Sequence, residues 1–142
     1  MEIYGLSGKA GTGKSYQAGE LAARLKIRGI IDDGLFMYDG NIVAGISAKK
    51  RATSIAAIRT AVFTDSKHCY DVEQAIEKYA PDKILIIGTS DKMIIKISYR
   101  LGLPRPAHFI HIEDITTEEQ REKARHARHD EGMHIIPAPP FR

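Results

Sequence analysis

Eight residues near the start of the chain, Gly8-Lys9-Ala10-Gly11-Thr12-Gly13-Lys14-Ser15, constrain its fold more than any other feature. They match the pattern G-x-x-x-x-G-K-S/T in full. An apolar run, Glu2 to Leu6, precedes them, and an amphipathic pattern from Lys14 to about Arg28 follows, with Ala18, Leu21, Ala22 and Leu25 at helical spacing and Gly29 as its stop. Strand, glycine-rich loop and helix in that order form an anion cradle. The glycines let the backbone wrap closely so that N–H groups point inward at phosphate oxygens, and the helix N-terminus adds its positive dipole end. Lys14 supplies a point charge for the β- and γ-phosphates, and the Ser15 hydroxyl a ligand for Mg²⁺.

Beyond the loop, strand and helix signals alternate. Ile30 and Ile31 begin a second strand that runs into Asp32 and Asp33. Leu35-Phe36-Met37-Tyr38, Asp39-Gly40 and Asn41-Ile42-Val43-Ala44 read as a β-hairpin, because Asp-Gly between apolar runs favours a two-residue turn with positive φ. Two helices are expected next. The first covers about Thr53 to Phe63, with Ile55, Ile58, Val62 and Phe63 inward; the second covers about Ser66 to Ala80, with Cys69, Val72, Ile76 and Tyr79 inward. Lys83-Ile84-Leu85-Ile86-Ile87-Gly88 is a continuous apolar run, the mark of a central strand buried on both faces. Ser90 caps a helix to about Leu101, Phe109 to Ile112 forms a further strand, Thr117 to about Glu131 a polar helix, and His134 to Ile136 a last strand. The expectation is an α/β fold with a mostly parallel sheet of about five strands, a β-hairpin after the second strand, and helices on both faces in three layers. There is no internal repeat, and residues 1–142 read as a single domain, with Pro137-Ala138-Pro139-Pro140 resembling the start of a linker.

At these residues the chain resembles the P-loop (Walker A) NTPase superfamily, and in overall look its small uncharacterised bacterial ATP-binding proteins. The resemblance implies binding of a nucleoside triphosphate with Mg²⁺, and does not by itself imply which reaction follows. ATP is the default, since no Asn-Lys-x-Asp guanine-reading motif is present. The contacts implied for nucleotide are Gly8, Lys9, Ala10, Gly11, Thr12, Gly13, Lys14, Ser15 and the following Tyr16. The superfamily also places an Asp at the end of a neighbouring apolar strand to hold Mg²⁺ through water. The best such strand, Ile84 to Ile87, ends instead in Gly88-Thr89-Ser90-Asp91. Two other apolar runs end in acids: Ile30-Ile31-Asp32-Asp33, and Phe109-Ile110-His111-Ile112-Glu113-Asp114. Asp32 and Asp33 are the preferred metal and catalytic candidates beside Lys14, because several P-loop small-molecule kinases resemble this arrangement, with an acid at the end of the second strand.

Several other polar groups suit either a functional or a plain structural role. Lys9 resembles the signature lysine of deviant-motif dimeric ATPases, although Ala10 stands where their next glycine would be; a homodimer is compatible with it. Lys49-Lys50-Arg51 and Arg59 suit an acceptor phosphate or a solvated helix start. Arg121, Arg125 and Arg128 share a helix face and suit a phosphate lid or an exposed face. His126 and His129 are too few for a closed zinc site, and Cys69 fits an inward core position. One cysteine excludes a disulfide framework and fits a reducing cytoplasm. No apolar run reaches the length of a membrane span. The net charge of +3 permits an anionic ligand but lacks the basic stripe and aromatic platform of a nucleic-acid binder. Two functions remain: γ-phosphoryl transfer to water or a small acceptor, and a nucleotide-dependent switch or binding module with little turnover.

Overall fold

The computed structural model describes residues 1–9 and 13–115; the Ser15 side chain is also outside the description. The expected helix at Thr117 to Glu131, the strand at His134 to Ile136 and the proline-rich tail all lie outside the described residues. In chain order the elements are β1 (Glu2–Ser7), α1 (Lys14–Leu25), β2 (Gly29–Asp32), β3 (Leu35–Tyr38), β4 (Asn41–Gly45), a 3₁₀ turn (Ala48–Lys50), α2 (Ser54–Ala61), α3 (Ser66–Tyr79), β5 (Lys83–Gly88), α4 (Asp91–Arg100), β6 (His108–His111) and a short α5 (Ile112–Ile115).

The strands form one six-stranded sheet in the order β4-β3-β2-β5-β1-β6. β5 lies between β1 and β2 and pairs parallel with both, and β6 pairs parallel with β1 on its far side. β3 and β4 pair antiparallel at the opposite edge. The sheet is therefore mixed and has six strands, where a mostly parallel sheet of about five was expected. The reason is local. Asp33-Gly34 is a second Asp-Gly turn, with φ of 56° and 82°, matching Asp39-Gly40 at 53° and 83°. Positive φ at both central positions suits the right-handed twist of the flanking strands. The first turn folds β3 directly onto β2, so the hairpin extends the sheet rather than standing apart from it.

Side-chain alternation along β5 divides the core. Ile84 and Ile86 face α3 and α4, packing with Ile3, Ile31, Val72, Ile76, Ile94 and Ile97. Leu85 and Ile87 face α1, packing with Tyr4, Leu6, Ala18, Leu21 and Ala22. A two-residue period buried on both faces is what the continuous apolar run required. Gly5 admits α4 to the sheet: a Cβ there would stand 2.9 Å from Ile94 Cγ2. Side-chain caps start the helices on this face, Asp65 accepting from the His68 amide and Ser90 from that of Met93.

The inward face of α2 differs from expectation. Ile55 and Ile58 are 71% and 65% exposed, while Thr60 is buried and Phe63 reaches the core. The helix is only eight residues long and ends before Phe63. Phe63 enters the core from a left-handed turn, at φ 59°, and stacks on His68. Anchors beyond the helix, not its own periodicity, set which face turns inward. Among the described residues no helix is long and apolar enough to cross a membrane.

These placements separate two isoleucines by their surroundings. Ile86→Ala should lower the unfolding free energy by about 2–5 kcal/mol, the range for deleting a fully buried aliphatic side chain. Ile55→Ser should change it by no more than about 0.5 kcal/mol. Urea denaturation of both variants measures the contrast, and equal losses would refute this assignment of the α2 face.

Candidate functional site

α1 follows β1 and covers one face of the sheet, whereas α4 follows the adjacent strand β5 and covers the other. Two neighbouring parallel strands whose helices depart to opposite faces leave a crevice at their C-terminal ends, the usual ligand position in open α/β sheets. The glycine-rich loop begins there. Ser7 pairs with Gly88 on one side and His111 on the other, and the Gly8 amide donates to the Gly88 carbonyl at 3.2 Å, extending the ladder into the loop.

Gly13 closes the loop at φ 85°, a left-handed conformation that a side chain resists, and hands the chain to α1 at Lys14. The Lys14 ammonium turns back across the loop, donating to the Gly8 carbonyl at 2.6 Å and the Lys9 carbonyl at 3.0 Å. Partial burial holds its pKa below the usual lysine value, and the Asp32 charge acts in the opposite sense. Ala10, Gly11, Thr12 and the Ser15 side chain lie outside the description. Tyr16 is 43% exposed on the first turn of α1.

The two acids ending β2 have different surroundings. Asp33 adopts the left-handed conformation of the β2–β3 turn; its carboxylate accepts from the Ser47 hydroxyl at 2.6 Å and its carbonyl from the Ala48 amide at 2.9 Å. Asp33 thus fastens the turn to the segment after β4. Asp32 is half-buried, and its pKa is raised, first by burial and then by the Asp33 charge, against the opposing pull of Lys49 and Lys14. His68 braces this turn from α3. Its Nε2 lies 2.8 Å from the Gly34 carbonyl and 3.2 Å from the Ile46 amide. Nothing in the sequence marked His68 for this role, because its partner is a backbone carbonyl 34 residues away.

At the other side of the crevice stands a group the sequence did not bring together. Asp91, the first residue of α4, accepts from the Ser7 hydroxyl at 3.0 Å and from His111 Nε2 at 2.9 Å, while His111 Nδ1 is 3.5 Å from Asp114. The late acid of the β5 run is therefore engaged by the ends of β1 and β6. The only sequence signal for the contact was that all three residues follow apolar runs that become neighbouring strands. Glu113 and Asp114 lie on α5, and Glu113 is exposed. Arg51 donates from Nε to the Thr60 hydroxyl at 2.9 Å, and Lys49, Lys50 and Arg59 are exposed. Arg121, Arg125, Arg128, His126 and His129 lie outside the described residues. Cys69 is buried as expected, and burial raises its thiol pKa to about 11. Among the described residues no cluster of three His, Cys, Asp or Glu side chains forms a metal cage. A cavity of about 80 Å³ lined by Lys26, Arg28, Tyr38 and Lys83 lies at the opposite end of the sheet and is too small for a nucleotide.

In comparisons with known proteins, no family model matches the chain, and neither a curated protein nor a solved structure does.

The Asp91–His111 contact makes stability depend on pH. Its hydrogen bond to Asp91 raises the His111 pKa, and the same bond lowers that of Asp91. The His111 contribution is complete below the unfolded histidine pKa and fades as pH rises through the folded one; the Asp91 contribution is present above its unfolded pKa and fades in acid. The melting-temperature gap between the parent and His111→Gln should therefore be wider near about pH 5.5 than near about pH 8.5. A gap that widens toward alkaline pH would contradict this pairing.

Proposed function

We propose that the chain is a Mg²⁺-dependent ATP-binding protein of P-loop type, with a three-layer P-loop NTPase-like domain, that moves the γ-phosphoryl group to water or a small acceptor. One observation carries the reading: Lys14, the lysine of a complete G-x-x-x-x-G-K-S match, folds across a loop that leaves β1 at the sheet's topological switch point. The ammonium rests on two backbone carbonyls, and phosphate oxygens replace those acceptors when nucleotide binds. Lys14 then holds the β- and γ-phosphates, while the loop amides and the first turn of α1 neutralise charge that develops during transfer.

Mg²⁺ in phosphate sites keeps several waters and takes only one or two carboxylates, so no protein cage is needed. A half-buried carboxylate close enough to Lys14 to perturb its pKa fits that requirement. Asp32 and the Ser15 hydroxyl are the groups that would hold the ion, which would offset the negative charge of the phosphates. Asp33 positions Asp32 through the turn. Unshifted ionisation of a group like Asp32 would be easier in water; the fold holds it in a place where its charge is costly, as functional carboxylates often are.

The low-turnover switch reading is favoured by a separate observation. β5 ends in Gly88, and the nearest acid after it, Asp91, is occupied by Ser7 and His111. Among the described residues no carboxylate therefore stands free at the end of β5 to order an attacking water.

Lys14→Ala should weaken ATP binding roughly ten- to a hundredfold, about 1.4–2.8 kcal/mol, without unfolding the domain. Calorimetry showing unchanged affinity in a folded variant would end the P-loop reading. Asp32→Asn should lower phosphoryl transfer at least tenfold, about 1.4 kcal/mol in the barrier, and leave metal-free ATP affinity equal or better. Because the folded pKa of Asp32 is raised, its ionised form destabilises the free protein above that pKa. Asp32→Asn should accordingly melt above the parent at neutral pH in the absence of ligand. Full turnover in this variant would move the metal role elsewhere.

A further inference from the structure

Residues 40–64 carry Lys49, Lys50, Arg51 and Arg59 and not one Asp or Glu, while the remainder of the chain has slightly more acidic than basic residues. The same segment supplies Ile42, Ile46, Ile55 and Ile58, half of the exposed large hydrophobic side chains among the described residues. The elements that carry most of these residues pack together. The 3₁₀ turn bearing Lys49 and Lys50 packs beside α2, and Arg51 is joined to Thr60 of α2. A Cβ on Gly34 would touch both the Ile46 carbonyl and Thr60, which brings the end of β4 to the same place. Ile55 and Ile58 project from one face of α2, three residues apart, with Arg59 next to them. The salt bridges of the described residues all lie elsewhere, so among those residues no acid closes on Lys50 or Arg59.

We infer that this face docks on an anionic lipid surface, the α2 isoleucines entering the headgroup boundary and the lysines and arginines lying against the lipid phosphates. Charge complementarity selects this occupant. A protein partner meets a surface whose centre is depleted of charge and whose rim carries both signs. Here the cations are interleaved with isolated aliphatic side chains, and the segment that bears them has no acid of its own, Asp32 and Asp33 lying behind it at the end of β2. A layer of anionic headgroups accepts that distribution without a matched partner for each charge, and basic residues with exposed aliphatic groups are the elements of interfacial binding. The contact would be peripheral and reversible, since α2 has only eight residues. It would also adjoin the nucleotide crevice, because the Ala48 amide and the Ser47 hydroxyl are fastened to Asp33. The inference stands apart from the proposed phosphoryl chemistry: a chain that failed to bind ATP would still present this face.

Co-sedimentation of the full 142-residue chain with vesicles tests it, using pure phosphatidylcholine and phosphatidylcholine with about one-third phosphatidylglycerol. The anionic vesicles should retain at least about ten times more protein, with retention falling as salt is raised. The double variant Ile55→Ser, Ile58→Ser should lose at least about fivefold of that partitioning while its far-ultraviolet spectrum and melting temperature stay those of the parent. Lys50→Gln with Arg59→Gln should lose a similar amount. Equal retention on both vesicle types overturns the inference. So does full retention of the isoleucine variant, which would mark simple adhesion of a basic protein. A concentration-dependent dimer in analytical ultracentrifugation, abolished by the isoleucine changes and accompanied by no vesicle uptake, overturns it in favour of a second copy.

Discussion

The parallel pairing of β1 with β5 is the constraint on which the rest of the molecule depends. It runs in register from Glu2 opposite Lys83 to Ser7 opposite Gly88, and one further bond, Gly8 to Gly88, carries it into the loop. The pairing sets the loop beside a strand that is buried from Ile84 to Gly88. It also places α1 and α4 on opposite faces, because each helix leaves a neighbouring strand in the opposite direction. The crevice at the strand ends exists because of that divergence. Gly5 has its own part here, since any side chain at that position would push α4 away from β1.

Two devices then shape the flanks of the crevice. On one side the Asp33-Gly34 turn reverses the chain and leaves Asp32 half-buried at the end of β2, with His68 and Ser47 holding the turn in place. On the other side Asp91 joins the ends of β1, β5 and β6 through Ser7 and His111. Both are polar contacts made by groups far apart in sequence. The first holds one carboxylate near Lys14 in a place where its charge is costly. The second uses its carboxylate up, so the two acids that sequence patterning treats as rivals acquire different duties.

The basic, isoleucine-studded face shows how a short element escapes its own pattern. Ile55, Ile58 and Val62 recur at helical spacing, which ordinarily marks an inward stripe. An eight-residue helix has too little contact area to choose its orientation, and Phe63 and Thr60, held by the core and by Arg51, make the choice. The isoleucines are left outside as a consequence.

Local chemistry alone determined a good deal. The helix opened at Lys14, the two-sided apolar strand at Ile84 to Ile87 and the Asp39-Gly40 turn each follow from side-chain period or backbone freedom within a few residues, and all three elements stand where those rules put them. The second Asp-Gly at residues 33–34 was equally local, but its two acids also read as a site, and only pairing of β3 with β2 separated the turn residue from the buried carboxylate. Strand order, the mixed edge of the sheet, the Ser7–Asp91–His111 contact and the orientation of α2 were decided by tertiary structure. Each depends on which strands become neighbours or which distant side chain claims a buried position, and neither is encoded in the spacing of residues along one element.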